Sequence, residues 1–410
     1  MMNTLRKKTH AYTAPQEVKA KGVYPFFREI TSAQDTEVMM GGKKVLMFGS
    51  NSYMGLTTHP QIEEAAIAAI RKYGTGCAGS RFLNGNTDLH LELEKALADY
   101  VGKEEAVVFS TGFQANLGAV SALIGRHDYM LIDDSVHASL IDGCRLSFGT
   151  LLKYDHNDMQ SLKRLLDRVA DKPGIKLIIT DGIFSMEGEI AKLPEIVQLA
   201  KQYNASVMSD DAHALGVLGK NGCGTANHFR LDNDVEIIMG TFSKSLASLG
   251  GFIAASADVI NYLRHNARSL IFSASIPPAA AASALEALRI IIREPERIER
   301  LWKNTRHLMK LLKDAGFDTG HSDTPIIPIY IRDNDKTFMF TKMLAEEGVF
   351  VNPVVTPAVK GDSSLIRLSL MATHTFPQIE LAVEKIIKVA KKLDVPLNHV
   401  NAEKQPANSR

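Results

Sequence analysis

The stretch VEIIMGTFSKSLASLGGFIAAS, residues 235–256, holds two short apolar runs of strand type around a loop of small residues that carries Lys244. Similar runs precede it along the chain: EAVVFS, YMLIDD, LLKYD, IKLIITDG and ASVMSDD. Each of the seven runs is followed by a helical pattern or a turn, and strands joined through helices lie parallel. The pattern predicts an α/β fold with a mainly parallel central sheet flanked by helices. Ligands of such sheets bind beyond the carboxyl ends of the strands. Polar residues just after these runs are therefore the candidates for function.

Working outward, PQIEEAAIAAIRKYG and TDLHLELEKALADYVG have helical periodicity, and the second offers Thr87 and Asp88 as N-terminal caps. From about residue 280 the pattern changes to long helices, then PIIPIYI, another helix, GVFVNP, SSLIRLSL and a last helix. That order predicts a smaller α+β domain. The expected division is an N-terminal segment (1–60), a large cofactor-binding domain (61–280), a small C-terminal domain (281–398) and a polar tail (399–410). The ending NAEKQPANSR is too polar to pack and is expected to be disordered.

Composition excludes several function classes. A chain of 410 residues exceeds the usual size of one core. Its 45% hydrophobic and 23% charged content is ordinary for a soluble enzyme. With 47 basic and 46 acidic residues the net charge is +1, which gives no electrostatic case for nucleic acid or an anionic membrane. Cys77, Cys144 and Cys223 stand apart from one another, as reduced thiols of a cytoplasmic protein would. The leading MMNTLRKKTHAYTAP is basic but lacks the apolar run of a secretory signal. SASIPPAAAASALEALRIII is the nearest approach to a membrane span, and its prolines and charges fit a packed helix better. GTGCAG has dinucleotide-loop spacing but follows a helix instead of a strand, and GTFSKS lacks the upstream glycine of a phosphate loop. The thirteen histidines include no HExxH pair, so no catalytic metal is expected.

Four features lie where strands should end: Lys244 after VEIIMGT, Asp210 and His213 in SDDAHALG, Gly112 and Phe113 in STGFQAN, and His137 in DDSVHASLIDG. Singly, each has a plain reading as a loop lysine, a helix cap, a core histidine or a turn glycine. Together they suit pyridoxal 5'-phosphate. That cofactor needs a lysine for its aldehyde and a carboxylate for its ring nitrogen. It also needs amide donors at a helix N-terminus for its phosphate and a flat group against its ring. Its lysine must be unpaired and partly desolvated, because only the neutral amine attacks a carbonyl.

Over nearly its whole length the chain resembles the α-oxoamine synthases, a branch of the fold-type I pyridoxal-phosphate enzymes. The resemblance rests on NSYMGL, GTGCAGSRFLNG, STGFQAN, HASLIDG, FSMEGE, DDAHALGVLG, GTFSKSLASLGG, FSASIPP and RLSLMATHT, in the family's order. Members of that family condense an amino acid with an acyl-CoA thioester and lose CO2. The resemblance implies that Lys244 binds the cofactor as a Schiff base and later moves the Cα proton. It pairs Asp210 with the ring nitrogen, His213 with the phenolic oxygen and His137 with the ring face and the substrate carboxylate. It gives Gly112, Phe113 and Thr241 to the phosphate, Ser185 to the ring oxygen, and Arg367 and Asn51 to the substrate. Ser273 is expected to reach the phosphate of a neighbouring subunit, so the enzyme would be a homodimer with active sites at the interface. GTFSKS and MATHT look most like the subgroup that joins L-serine to a long-chain acyl-CoA, palmitoyl-CoA above all, which brings possible peripheral contact with a membrane for the lipid. The alternative is the subgroup that joins glycine to acetyl-CoA, or another member.

Overall fold

The computed structural model describes residues 3–359 and 361–397, and in it all seven apolar runs become strands of one sheet. Two strands precede them, β1 (Glu37–Met40) and β2 (Lys43–Met47). The seven are β3 (Glu105–Phe109), β4 (Tyr129–Asp133), β5 (Thr150–Tyr154), β6 (Lys176–Asp181), β7 (Ser206–Asp210), β8 (Ile237–Thr241) and β9 (Gly251–Ala255). Their order is β3-β9-β8-β7-β6-β4-β5. Every neighbouring pair is parallel except those made by β9, which runs antiparallel to β3 and β8. Residues 242–250 are too few to cross over the sheet, so the chain leaving β8 must return beside it in the opposite sense. The loop that carries Lys244 is that return.

β6, β8 and β9 are buried at every residue, as apolar runs covered on both faces should be. Helices Asp88–Val101, Gly112–Leu123, Met159–Val169 and Leu193–Tyr203 pack on the sheet. The last of these has proline in its first turn and stops at Asn204, whose φ of 50° is left-handed.

The C-terminal region has β10 (Ile326–Tyr330), β11 (Val349–Phe350), β12 (Asn352–Val354) and β13 (Leu365–Ser369). β10, β13 and β12 form an antiparallel sheet in that order. The sequence reading gives no strand to residues 1–60, and here the structure differs. β1 and β2 form a hairpin closed by Gly41 and Gly42, with φ of 56° and 74°, the signs a two-residue hairpin turn demands. β2 then pairs in parallel with β11, so the N-terminal segment completes a sheet begun by the other end of the chain. One hydrophobic core runs from the large sheet through Ile326, Leu368 and Ile379 of the C-terminal region. Arg367 is brought toward the sheet's carboxyl edge on β13. Among the described residues no helix is long and apolar enough to cross a membrane. The proposed tail, 399–410, lies outside the described residues.

Candidate active site

The carboxyl ends of β6, β7 and β8, with the loops after β3 and β4, enclose a cavity of about 240 Å³. Gly112, Phe113, His137, Asp210, His213, Thr241 and Lys244 all line it, so seven residues picked out from the sequence meet in one place. Gly112 and Phe113 open the helix Gly112–Leu123, capped by Thr111, whose Oγ1 accepts from the Gln114 amide at 3.1 Å. The first amides of that helix are left unbonded by the helix itself and suit an anion. A side chain at Gly112 is excluded: its Cβ would lie 2.7 Å from Thr241 Oγ1 and 2.9 Å from the Met239 methyl carbon.

The Lys244 amine forms no hydrogen bond or ion pair among the described residues, although its backbone carbonyl accepts from the Ala247 amide at 3.2 Å. Burial, opposed only in part by Asp210 and Asp181, lowers its amine from 10.5 to about 8. Asp210 is buried, and both of its oxygens are engaged: Oδ1 accepts from the Ala212 amide at 2.9 Å and Oδ2 from Asn116 Nδ2 at 2.7 Å. Asp181 is its register partner on β6 and also lines the cavity. Burial, then the nearby Asp210, push the Asp181 carboxyl well above the usual carboxylate range.

His213 is buried, and that burial drives it well below the usual histidine range. Its Nδ1 lies 2.7 Å from the Tyr53 hydroxyl. Burial pushes this phenol up to about 12, against the lowering effect of the adjacent Arg367. A protonated Tyr53 that donates to Nδ1 leaves the proton of His213 on Nε2, a donor. Arg367 is itself buried; its Nε donates to the Ser185 carbonyl at 2.5 Å and its Nη2 to Asn51 Oδ1 at 3.0 Å. Arg367, Asn51 and Ser185 thus form a second cluster beside the cavity, joined to it through Tyr53 and His213. Ser273 stands apart from the cavity lining. Its Oγ accepts from Gln114 Nε2 at 3.0 Å, one residue beyond Phe113.

Residues 43–386 match the family described as aminotransferase class I and II. The chain belongs to that family. Among its relatives is the serine palmitoyltransferase of Sphingobacterium spiritivorum, 59% identical over 391 residues that cover 95% of this chain and 98% of the relative. That of Bacteroides ovatus is 57% identical over 394 residues, covering 96% and 100%. A solved structure described as serine palmitoyltransferase with its pyridoxal-phosphate internal aldimine superposes with a TM-score of 0.93 at 34% identity, covering 96% of this chain and all of that one. The likeness to the α-oxoamine synthases read from the motifs thus extends along both chains, and this member of the family shares the fold of that enzyme throughout.

Among the cavity neighbours not read from the sequence are Tyr53, Asn116, Ser139 and Asp181. Asp181 ends a strand in LIITD and obeys the same rule that selected Asp210. Asn116 stands four residues after Gly112, on the same face of a helix that is otherwise small and apolar there. Those two signals were available. Tyr53 sits in ordinary surroundings in sequence, and only the fold brings it to the site; Ser139 lies two residues from His137, but nothing in the sequence marks it.

Proposed function

We propose that this chain is a serine palmitoyltransferase that uses pyridoxal 5'-phosphate to join L-serine to palmitoyl-CoA, giving 3-ketodihydrosphingosine, CoA and CO2. The observation that carries the reading is Lys244, an unpartnered amine lowered to about 8 in the cavity that also holds the Asp210 carboxylate. The residues fit the cofactor: the space a Cβ would fill at Gly112 lies beside Thr241 and the free helix amides, on a cavity with an amine and a carboxylate. When bound, the cofactor supplies a protonated ring that delocalises the electron pair left when a bond to the amino acid's Cα is broken.

Lys244 would hold it by the aldehyde carbon, Asp210 by the ring nitrogen and Gly112, Phe113 and Thr241 by the phosphate. His137 would lie against its ring, and His213, through Nε2–H, with Ser185 would serve the phenolic oxygen. Arg367 forks onto the serine carboxylate. Asn51 and the Ser185 carbonyl already orient that guanidinium, and His137 adds a donor. Lys244, once neutral, takes the Cα proton of serine. The assay on purified enzyme compares L-serine plus palmitoyl-CoA with glycine plus acetyl-CoA, following CoA release and product mass. Turnover with the serine pair is expected. Turnover only with the glycine pair would make the protein a 2-amino-3-ketobutyrate CoA ligase.

The same reading makes the enzyme a cytoplasmic homodimer. Phe113 and Leu249 line the cavity yet are exposed, and Phe82, Leu83 and Phe272 are exposed nearby, a patch that a second copy would cover. A bridge between Ser80 and Ala274 ties the Phe82–Leu83 loop to the segment that carries Ser273. Ser273 would then face the partner's phosphate. Mixing Lys244→Ala chains with a Ser273 variant that has lost cofactor binding should restore activity, because hybrid dimers hold one undamaged site. Exchange of subunits with no recovery would place the whole site within one chain. Three free cysteines fit the cytoplasm.

A further inference from the structure

Two buried residues with no assigned part in the reaction connect His137 to Asp210. Asn116 and Ser139 are fully buried, and both touch the cavity. Asn116 Nδ2 has two hydrogens, and two acceptors stand within reach: Asp210 Oδ2 at 2.7 Å and Ser139 Oγ at 2.9 Å. A carboxylate accepts only, so it is the amide nitrogen of Asn116 that must face it. Ser139 Oγ therefore accepts from Asn116, and its own proton is left for its third neighbour, His137 Nδ1, at 2.7 Å. The Ser139 backbone amide points at the same nitrogen at 3.3 Å, as His137 caps the helix Ala138–Leu146. Both donors converge on Nδ1. The backbone of His137 is held in turn by its N–H on Asp181 Oδ1, at 3.3 Å.

We infer that Asn116 and Ser139 are positioning residues that fix His137 in the tautomer with a bare Nδ1 and a protonated Nε2, so that the ring meets the substrate carboxylate as a hydrogen-bond donor. The orientation of the chain of bonds is set at its far end by the Asp210 carboxylate and read out at the near end as a donor. Burial supports it, since it lowers the His137 imidazole from its usual value and keeps the ring neutral, where the tautomer matters. The benefit for binding rests on the function proposed above; the tautomer itself does not. Asn116 Oδ1 has no partner among the described residues, so nothing in the protein competes for the other orientation of its amide.

The test is nitrogen NMR of the cofactor-free protein with labelled histidine, the His137 signals assigned by their loss in His137→Asn. Wild type should give a lone-pair-type Nδ1 and a proton-bearing Nε2. Ser139→Ala removes the stronger donor, and the Nδ1–H form should grow to a sizeable share. In the loaded enzyme the same change should raise KM for L-serine about tenfold while kcat moves less than about threefold, the mark of lost uniform binding. Ser139→Cys, a weaker donor of similar size, should fall between. Asn116→Ala should shift the tautomer in the same direction, and this second variant decides the matter where Ser139→Ala melts early. A proton-bearing Nδ1 in wild type overturns the inference, as does an unchanged tautomer in both variants. Failure of the wild type to turn over L-serine would instead overturn the proposed function, leaving the NMR result to decide this one.

Discussion

Lys244→Ala should remove turnover, by about four orders of magnitude or more, and leave a folded protein. The loss combines the covalent hold on the cofactor with a proton transfer that by itself is worth about a hundredfold to ten-thousandfold. Packing predicts the reverse effect on stability. Lys244 has no partner to lose, and its desolvation is a standing penalty on the folded state. The amine falls from 10.5 to about 8 on folding, so below pH 8 the unfolded chain holds the proton more tightly and the fold is weakened. The penalty disappears as pH rises from about 8 to 10.5. At pH 7 the cofactor-free Lys244→Ala protein should be about 1–3 kcal/mol more stable than wild type, a difference that closes above pH 10. Melting curves across that range check the sign. The same amine predicts that cofactor-free wild type takes up pyridoxal phosphate faster as pH rises toward 8. Borohydride reduction followed by peptide mass analysis should leave the pyridoxyl group on Lys244; finding it on another lysine ends the assignment.

Much of this was legible because the rules involved are local. A parallel sheet leaves its ligands at strand ends, and a polar residue directly after an apolar run is visible in the sequence, which is how Asp210, His213, His137 and Lys244 were found; Thr241 came only from the family resemblance. The antiparallel β9 is also implicit, in the nine residues 242–250 that separate it from β8. What stayed hidden depends on contacts between distant segments. Tyr53 reaches His213 across 160 positions of sequence, and Arg367 reaches Asn51 across 316. The hairpin β1–β2 escaped for a different reason. Its strands are short, its turn is an unassuming Gly41–Gly42, and its partner β11 is two residues long. Ser139 is two residues from His137 yet gains its meaning from Asn116, on another helix.

Asp210→Asn should keep the cofactor bound and lower kcat by about a thousandfold or more, several kcal/mol of transition-state stabilisation. Two effects act together. An amide cannot hold a proton on the ring nitrogen, so the ring loses most of its capacity to take up charge. The local bonding also inverts. Oδ1 and Oδ2 of Asp210 each accept from a fixed donor, the Ala212 amide and Asn116 Nδ2. An asparagine offers one acceptor and one donor, so one of these contacts becomes donor against donor. Where Asn116 turns its amide to relieve that clash, the bonds through Ser139 to His137 reverse with it. The variant should therefore raise KM for L-serine as well as lower kcat. Asp181 stands one strand away at the same register, its carboxyl pushed up in part by repulsion from Asp210. Neutralising Asp210 removes that repulsion and makes Asp181 the alternative carboxylate. Activity within about tenfold of wild type would mean that Asp181, and not Asp210, holds the ring nitrogen, and a further Asp181→Asn change would then remove what remained.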